Sequence, residues 1–112
     1  MTKLLGLALA SVFALAAQPA QPPDAVKELA SLRAEIDEID QDVVALLNRR
    51  ANVVLKIGLV KRRIGKAVLD QGREDQVVKN LAEANHGPLS DAALAAIYSS
   101  IMAAMRDLQT PQ

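Results

Sequence analysis

The chain contains no cysteine, which excludes disulfides and thiolate metal sites. It has a single histidine, His86, so a zinc site built on imidazoles is not expected. Aromatic residues make up only 2% of the 112 residues, against 51% hydrophobic residues overall. So aliphatic a composition, rich in Ala, Leu and Val, favours packed helices over a β-sandwich or barrel. Neither sign of charge is in excess: Lys+Arg and Asp+Glu both count 13, a net charge of +0. A nucleic-acid footprint needs a basic excess or a basic face, and no nucleic-acid partner is expected. At this length the chain is one small domain at most.

The first residues, "MTKLLGLALASVFALAAQPAQPP", stand apart. An apolar run from Leu4 to Ala17 follows Lys3, and it falls short of the roughly 20 residues that span a bilayer. Ala14-Leu15-Ala16 fits the small-x-small pattern of a signal-peptidase site. Gln18–Pro23 then has the composition of an extended linker. We expect residues 1–16 to be a secretory signal, 17–24 a linker and 25–112 the working domain. The expected location is periplasmic or secreted, with no stable membrane insertion after processing. An uncleaved anchor or an ordinary amphipathic start is the other reading of this run.

The remainder predicts three helices. The first runs from about Ala25 to Ile64, with Leu32, Ile36, Ile39, Val43, Leu46, Leu47, Val53, Val54, Ile57 and Ile64 at a 3.6-residue period. Gly65 breaks it. "GKAVLD" is a connector, and Asp70 can cap a second helix from about Gln71 to Ala84. "NHGP" at 85–88 stops that helix, leaving His86 in a loop with no assigned role. Ser90 caps a third helix, with Asp91 in its first turn, running to about Gln109. Its expected buried stripe is Leu94, Ile97, Ile101, Met105 and Leu108. The roughly 40 residues of the first helix would span about 60 Å, whereas a domain of this size has a radius of gyration near 12–13 Å. Two shorter helices cannot cover such a rod, so a two-fold homodimer is expected. A long coiled coil competes with it, but the two following helices favour an intertwined bundle.

Two cations interrupt the apolar stripe. At 100° per residue, Arg50 and Lys61 lie within about 20° of Val43, Ile57, Ile39 and Leu32. Arg49, Lys56, Arg62 and Arg63 lie about 100° or more away, where solvated charge belongs. A buried, unpaired cation costs several kcal/mol and needs an anionic partner. For Arg50 that partner is a ligand or an internal carboxylate; Lys61, near the helix end, can instead snorkel into water. Arg33 lies about 100° from Arg50 and some 25 Å along the rod, so only an antiparallel partner helix would bring a second Arg33 to it.

The second helix opens with "DQGRE", which sets Asp70, Arg73 and Glu74 at i, i+3 and i+4 on one face. Asp70 serves as an N-cap and Arg73–Glu74 as a solvated pair on one reading. On the other, a carboxylate accepts a ligand hydroxyl while Arg73 meets a second anion. Gln109 lies beside the stripe of the third helix, either as a surface residue on a fraying end or as an uncharged donor to an ether or carbonyl oxygen.

"LRAEIDEIDQDVVALLNRR", "IGLVK" and "VLDQGRE" together resemble the all-helical chorismate mutases of the AroQ type, here in an exported form. The resemblance covers about Leu32 to Gln109, and its specificity lies in the combined spacing of Arg33, Arg50, Lys61, Asp70, Arg73, Glu74 and Gln109. It implies an all-α fold: a three-helix subunit with one very long first helix, in an intertwined homodimer. Each active site would be completed by Arg33 from the partner chain. Arg50, Lys61 and Arg73 would share the anionic parts of chorismate, Asp70 and Glu74 would face its hydroxyl, and Gln109 and Lys61 its ether oxygen. Met105 stands where that family commonly has a small polar residue, and a thioether is only a weak acceptor.

The implied reaction is the pericyclic rearrangement of chorismate to prephenate. It needs no nucleophile, general base, metal or cofactor, and none is expected. Arg50, Lys61 and Gln109 would carry the catalysis. The other expectations of the same residues are an isochorismate pyruvate-lyase of the same fold and a non-catalytic exported helical dimer. The carboxylates of "DQGRE" favour the mutase. At this length neither a fused second enzyme nor a regulatory domain is expected, and hyperbolic kinetics without feedback by aromatic amino acids are expected.

Overall fold

Proline is well suited to the first position of a helix, because its φ is already helical and the N–H it lacks would have no partner there. Pro23 takes that place. In the computed structural model, which describes residues 22–111, helix α1 runs Pro23–Arg63. It starts two residues before the predicted Ala25 and ends one before Ile64. The expected signal, 1–16, and residues 17–21 of the expected linker lie outside the described residues. Asp24 in the first turn and Lys61, Arg62 and Arg63 in the last complement the helix dipole at both ends.

Gly65 closes α1 with φ +69°, a left-handed conformation that glycine adopts without a Cβ penalty. Two backbone bonds lock the turn: the Lys66 N–H donates to the Lys61 carbonyl at 2.8 Å and the Gly65 N–H to Arg62 at 3.3 Å. This is the paired bonding of a Schellman motif. Helix α2 then spans Gln71–Ala84 and α3 spans Asp91–Gln109, both as predicted. Asp70 caps α2 by accepting the Arg73 N–H, and Ser90 caps α3 by accepting the Ala93 N–H, each at 3.0 Å. Among the described residues there is no strand, and no helix is long and apolar enough to cross a membrane.

The chain divides into two units after Asp40. In the first, Val26, Leu29, Leu32, Ile36 and Ile39 of α1 are all exposed. The second, from Gln41, holds the rest of α1 with α2 and α3, and its small core centres on Val54, Met102 and Met105. Gly58 is buried against the end of α3: a Cβ built there would stand 3.3 Å from both Cα and Cγ of Gln109.

One expectation about α3 is corrected. Ile97 and Leu108 of the predicted stripe are exposed, and the buried face is Met102, Met105 and Gln109. This alanine-rich helix carries apolar residues on two sides. Turning the methionine side inward places Arg106 and Gln109 beside the core, with Ile101 half-buried and Ile97 left exposed.

Candidate active site

Three helices and one connector meet around a cleft of about 280 Å³, close to the lower bound of small-metabolite pockets, roughly 300 Å³. Six of the seven residues singled out in the sequence line it: Arg50, Lys61, Asp70, Arg73, Glu74 and Gln109. Val54, Ile57, Val68, Val77, Met102 and Met105 supply its apolar surface, and Arg106 lines it as well. The seventh predicted residue, Arg33, belongs to the unit before Gln41, where it is exposed.

Helix α1 brings Arg50, Val54, Ile57 and Lys61 to the cleft. Steps of four, three and four residues keep them on one helical face. Arg50 is half-buried and, among the described residues, takes part in no ion pair. That disfavours the internal salt bridge, since a half-buried guanidinium still calls for an anion. Lys61 does not snorkel outward. Its ammonium donates to the Val68 carbonyl at 2.6 Å, which ties the connector to α1 and holds the charge at the wall.

Asp70 has a double engagement. Its Oδ1 caps α2, and its Oδ2 lies 3.5 Å from the Lys66 ammonium. The hydrogen bond from the Arg73 backbone N–H holds its carboxyl below the usual carboxylate range; lost hydration opposes this, and the positive charges of Lys66 and Lys61 add to it. Arg73 is exposed at the rim. The solvated Arg73–Glu74 pair is corrected by the structure: Glu74 is half-buried and its Oε2 accepts a hydrogen bond from Arg106 Nη1 on α3. Arg106 escaped the sequence reading, because the apolar stripe of α3 overshadowed the one basic residue of that helix.

Gln109 is buried, at 8% exposure, and not a fraying surface residue. Gly58 lets it approach α1, and Arg62 fixes its backbone by donating to the Gln109 carbonyl at 2.9 Å. Arg62, assigned by its wheel position to solvent, is therefore partly occupied in capping α3. The Gln109 Oε1 is buried without a hydrogen-bond partner, an arrangement that costs free energy unless a ligand or water fills the place. Among the described residues no group of His, Cys, Asp and Glu could hold a metal ion.

Among the described residues the protein is all-helical, and cations, two carboxylates and a buried amide line one apolar cleft, a composition suited to a small anionic molecule. The sequence pattern of the family described as chorismate mutase type II matches residues 32–110, and the chain belongs to that family. It is similar to the bifunctional chorismate mutase/prephenate dehydratase of Aquifex aeolicus (strain VF5), at 32% identity over 88 residues, 75% of this chain and 24% of that protein. It is 38% identical over 61 residues to the intracellular chorismate mutase of Mycolicibacterium smegmatis (strain ATCC 700084 / mc(2)155), covering 54% of this chain and 59% of that one. Among solved structures, form II of the chorismate mutase from Thermus thermophilus superposes with a TM-score of 0.74 at 28% identity, covering 76% of this chain and 97% of that chain. The Helicobacter pylori chorismate mutase in complex with prephenate gives 0.69 at 30% identity, covering 74% and 90%. The chain thus spans about a quarter of the length of the bifunctional relative and nearly all of the Thermus chain.

Proposed function

We propose that the chain is a chorismate mutase, an isomerase that converts chorismate to prephenate. The observation that carries this reading is the gathering of Arg50, Lys61, Arg73 and Gln109 around one cleft in a chain of this family. A similar fold that holds prephenate supports it. Substrate and product each carry two carboxylates. The rearrangement breaks the ether C–O bond as a C–C bond forms within the same molecule, and no proton or electron leaves it.

The site then has two tasks. It holds the dicarboxylate in the compact, chair-like conformer, an effect of positioning. Arg50 and Arg73 suit this through their planar, bidentate forks. It also stabilises the negative charge that grows on the ether oxygen, which preorganised donors do best in a site shielded from water. Lys61, held in place by Val68, and the amide of Gln109 suit that task. Asp70 and Glu74 face the hydroxyl. A rate gain near 10⁶ requires about 8 kcal/mol in all.

The active unit is an intertwined homodimer in which Arg33 of the partner subunit completes each site. The exposed apolar residues of α1 support that assembly, since nothing among the described residues covers them and a bare apolar face of this extent calls for a partner. The protein is exported, and cleavage near residue 16 releases the mature enzyme into the periplasm or medium. Mass spectrometry of protein recovered from the periplasm checks this: a species beginning near Ala17 is expected, and a full-length species confined to the cytoplasm would refute it.

Loss of chorismate absorbance in the ultraviolet tests the activity directly. The purified chain is expected to turn chorismate over, and Arg50→Ala to lose about 10²–10³ in kcat with its helical circular dichroism unchanged. An inert wild-type chain sinks the enzyme reading. Unfolding of Arg50→Ala would instead return Arg50 to a structural role.

A further inference from the structure

Arg106 has no role in the proposed chemistry, yet it lines the cleft. It is the one basic residue on α3, and its guanidinium donates to Glu74 on α2. Both side chains are partly withdrawn from water, with 33% and 19% of their surface exposed. An ion pair so placed is not a solvated surface pair, whose worth is about 0–1 kcal/mol. Removing one partner leaves the other charge poorly hydrated and unmatched.

The charge balance of the cleft shows what that means for a ligand. Among the described residues four cations line it, Arg50, Lys61, Arg73 and Arg106, with two carboxylates, Asp70 and Glu74. Within one subunit the wall therefore carries a net charge of +2, to which Arg33 of the partner subunit adds one more in the proposed dimer. Without Arg106, Glu74 confronts the incoming carboxylates as an unneutralised negative charge. Like charges brought together in a partly dry site repel strongly. Asp70 already has its own compensation in Lys66 and the Arg73 N–H; among the described residues, the ion pair of Glu74 is with Arg106.

We infer that Arg106 is a positioning residue that neutralises and aims Glu74, so that this carboxylate receives the substrate hydroxyl without repelling the dianion. Geometry adds a second consequence. Arg106 and Gln109 belong to α3, and their spacing of three residues sets them on one face of it. The bond to Glu74 therefore also fixes the distance from the α2 carboxylate to the α3 amide. The inference rests on the proposed chorismate mutase activity.

The test uses the full chain and the variants R106M, R106K, E74Q and R106M/E74Q. Chorismate kinetics are measured, and prephenate is titrated calorimetrically. R106M is expected to raise KM and the prephenate Kd about tenfold, equivalent to about 1.4 kcal/mol, with a smaller change in kcat. R106K restores most of the loss because it keeps the charge. R106M/E74Q binds prephenate more tightly than R106M alone, since removing the stranded carboxylate removes the repulsion. A tie that merely joins α2 to α3 would lower the melting temperature of R106M and leave KM and Kd unchanged, with no benefit from adding E74Q. That result overturns the inference while the activity of the wild-type chain stands. A wild-type chain that neither turns over chorismate nor binds prephenate overturns both.

Discussion

Gly58 marks the closest approach of α1 to the end of α3. A methyl group there would press on both the backbone and side chain of Gln109, and the backbone of a helix cannot yield as a flexible side chain does. Gly58→Ala gains helix propensity of about 1 kcal/mol, but overpacking costs typically 1–3 kcal/mol. The displaced group is the proposed donor to the ether oxygen, a contact made chiefly in the transition state. Gly58→Ala is thus expected to lower kcat at least tenfold with little change in KM, the signature of a lost transition-state contact. Steady-state kinetics check this, and an unchanged kcat would show that the position of Gln109 has no bearing on the rate. At this scale the cleft was largely legible beforehand. Arg50 and Lys61 betrayed themselves as charges on an apolar stripe, a conflict visible in periodicity alone. Arg106 did not, because pairing across helices depends on how far α3 is turned, and the predicted stripe, right for Met105 but not for Ile97 and Leu108, left Arg106 outside the buried face.

The helices were legible through their ends. Asp70, Ser90, Gly65 and the "NHGP" stop each perform the local task their chemistry suggests, and α2 and α3 begin and end where predicted. Only α1 shifted, by the helical placement of Pro23. The cap of α2 carries a pH dependence of definite sign. The Asp70 carboxyl is held below its ordinary range in the folded chain by the Arg73 N–H, with help from Lys66 and Lys61. A depressed folded pKa means that Asp70 contributes its stability above its unfolded pKa, about 3.9, and loses it as pH falls through the lower, folded value. Asparagine is as good an N-cap as aspartate but cannot titrate. Urea midpoints measured from about pH 6 down to about pH 2.5 are expected to fall less steeply for Asp70→Asn than for the wild-type chain. Parallel slopes would show that the cap makes no charge-dependent contribution.

The molecule as a whole leaves much apolar surface uncovered. Val43, Val44, Leu46, Val53, Leu55, Leu59 and Val60 of α1 are exposed in addition to those before Gln41. A single soluble chain rarely keeps so extended an apolar face bare, and the proposed assembly follows from it. Light scattering is expected to return the mass of two chains at micromolar concentration. A sharper check uses subunit complementation. If Arg33 acts only in the opposite subunit, refolding Arg33→Ala and Arg50→Ala chains together in equal amounts makes half the dimers mixed, each with one intact site. About a quarter of wild-type activity is then expected. Recovery of none would mean that both arginines serve the same chain. The length and apolar stripe of α1 raise the expectation of a partner from the sequence, but the arrangement of such a pair depends on surfaces of two chains meeting, which no periodicity within one chain encodes.

The bond from Lys61 to the Val68 carbonyl has a thermodynamic reach beyond its own strength. A lysine side chain has four flexible torsions, and stilling them when a ligand arrives weakens the complex. Here that freedom is surrendered during folding. An ammonium has three hydrogens, so engaging one with the connector leaves two for an incoming oxygen. Occupation of the cleft should therefore carry a smaller entropic penalty at this residue than at the exposed Arg73, whose guanidinium has still to settle.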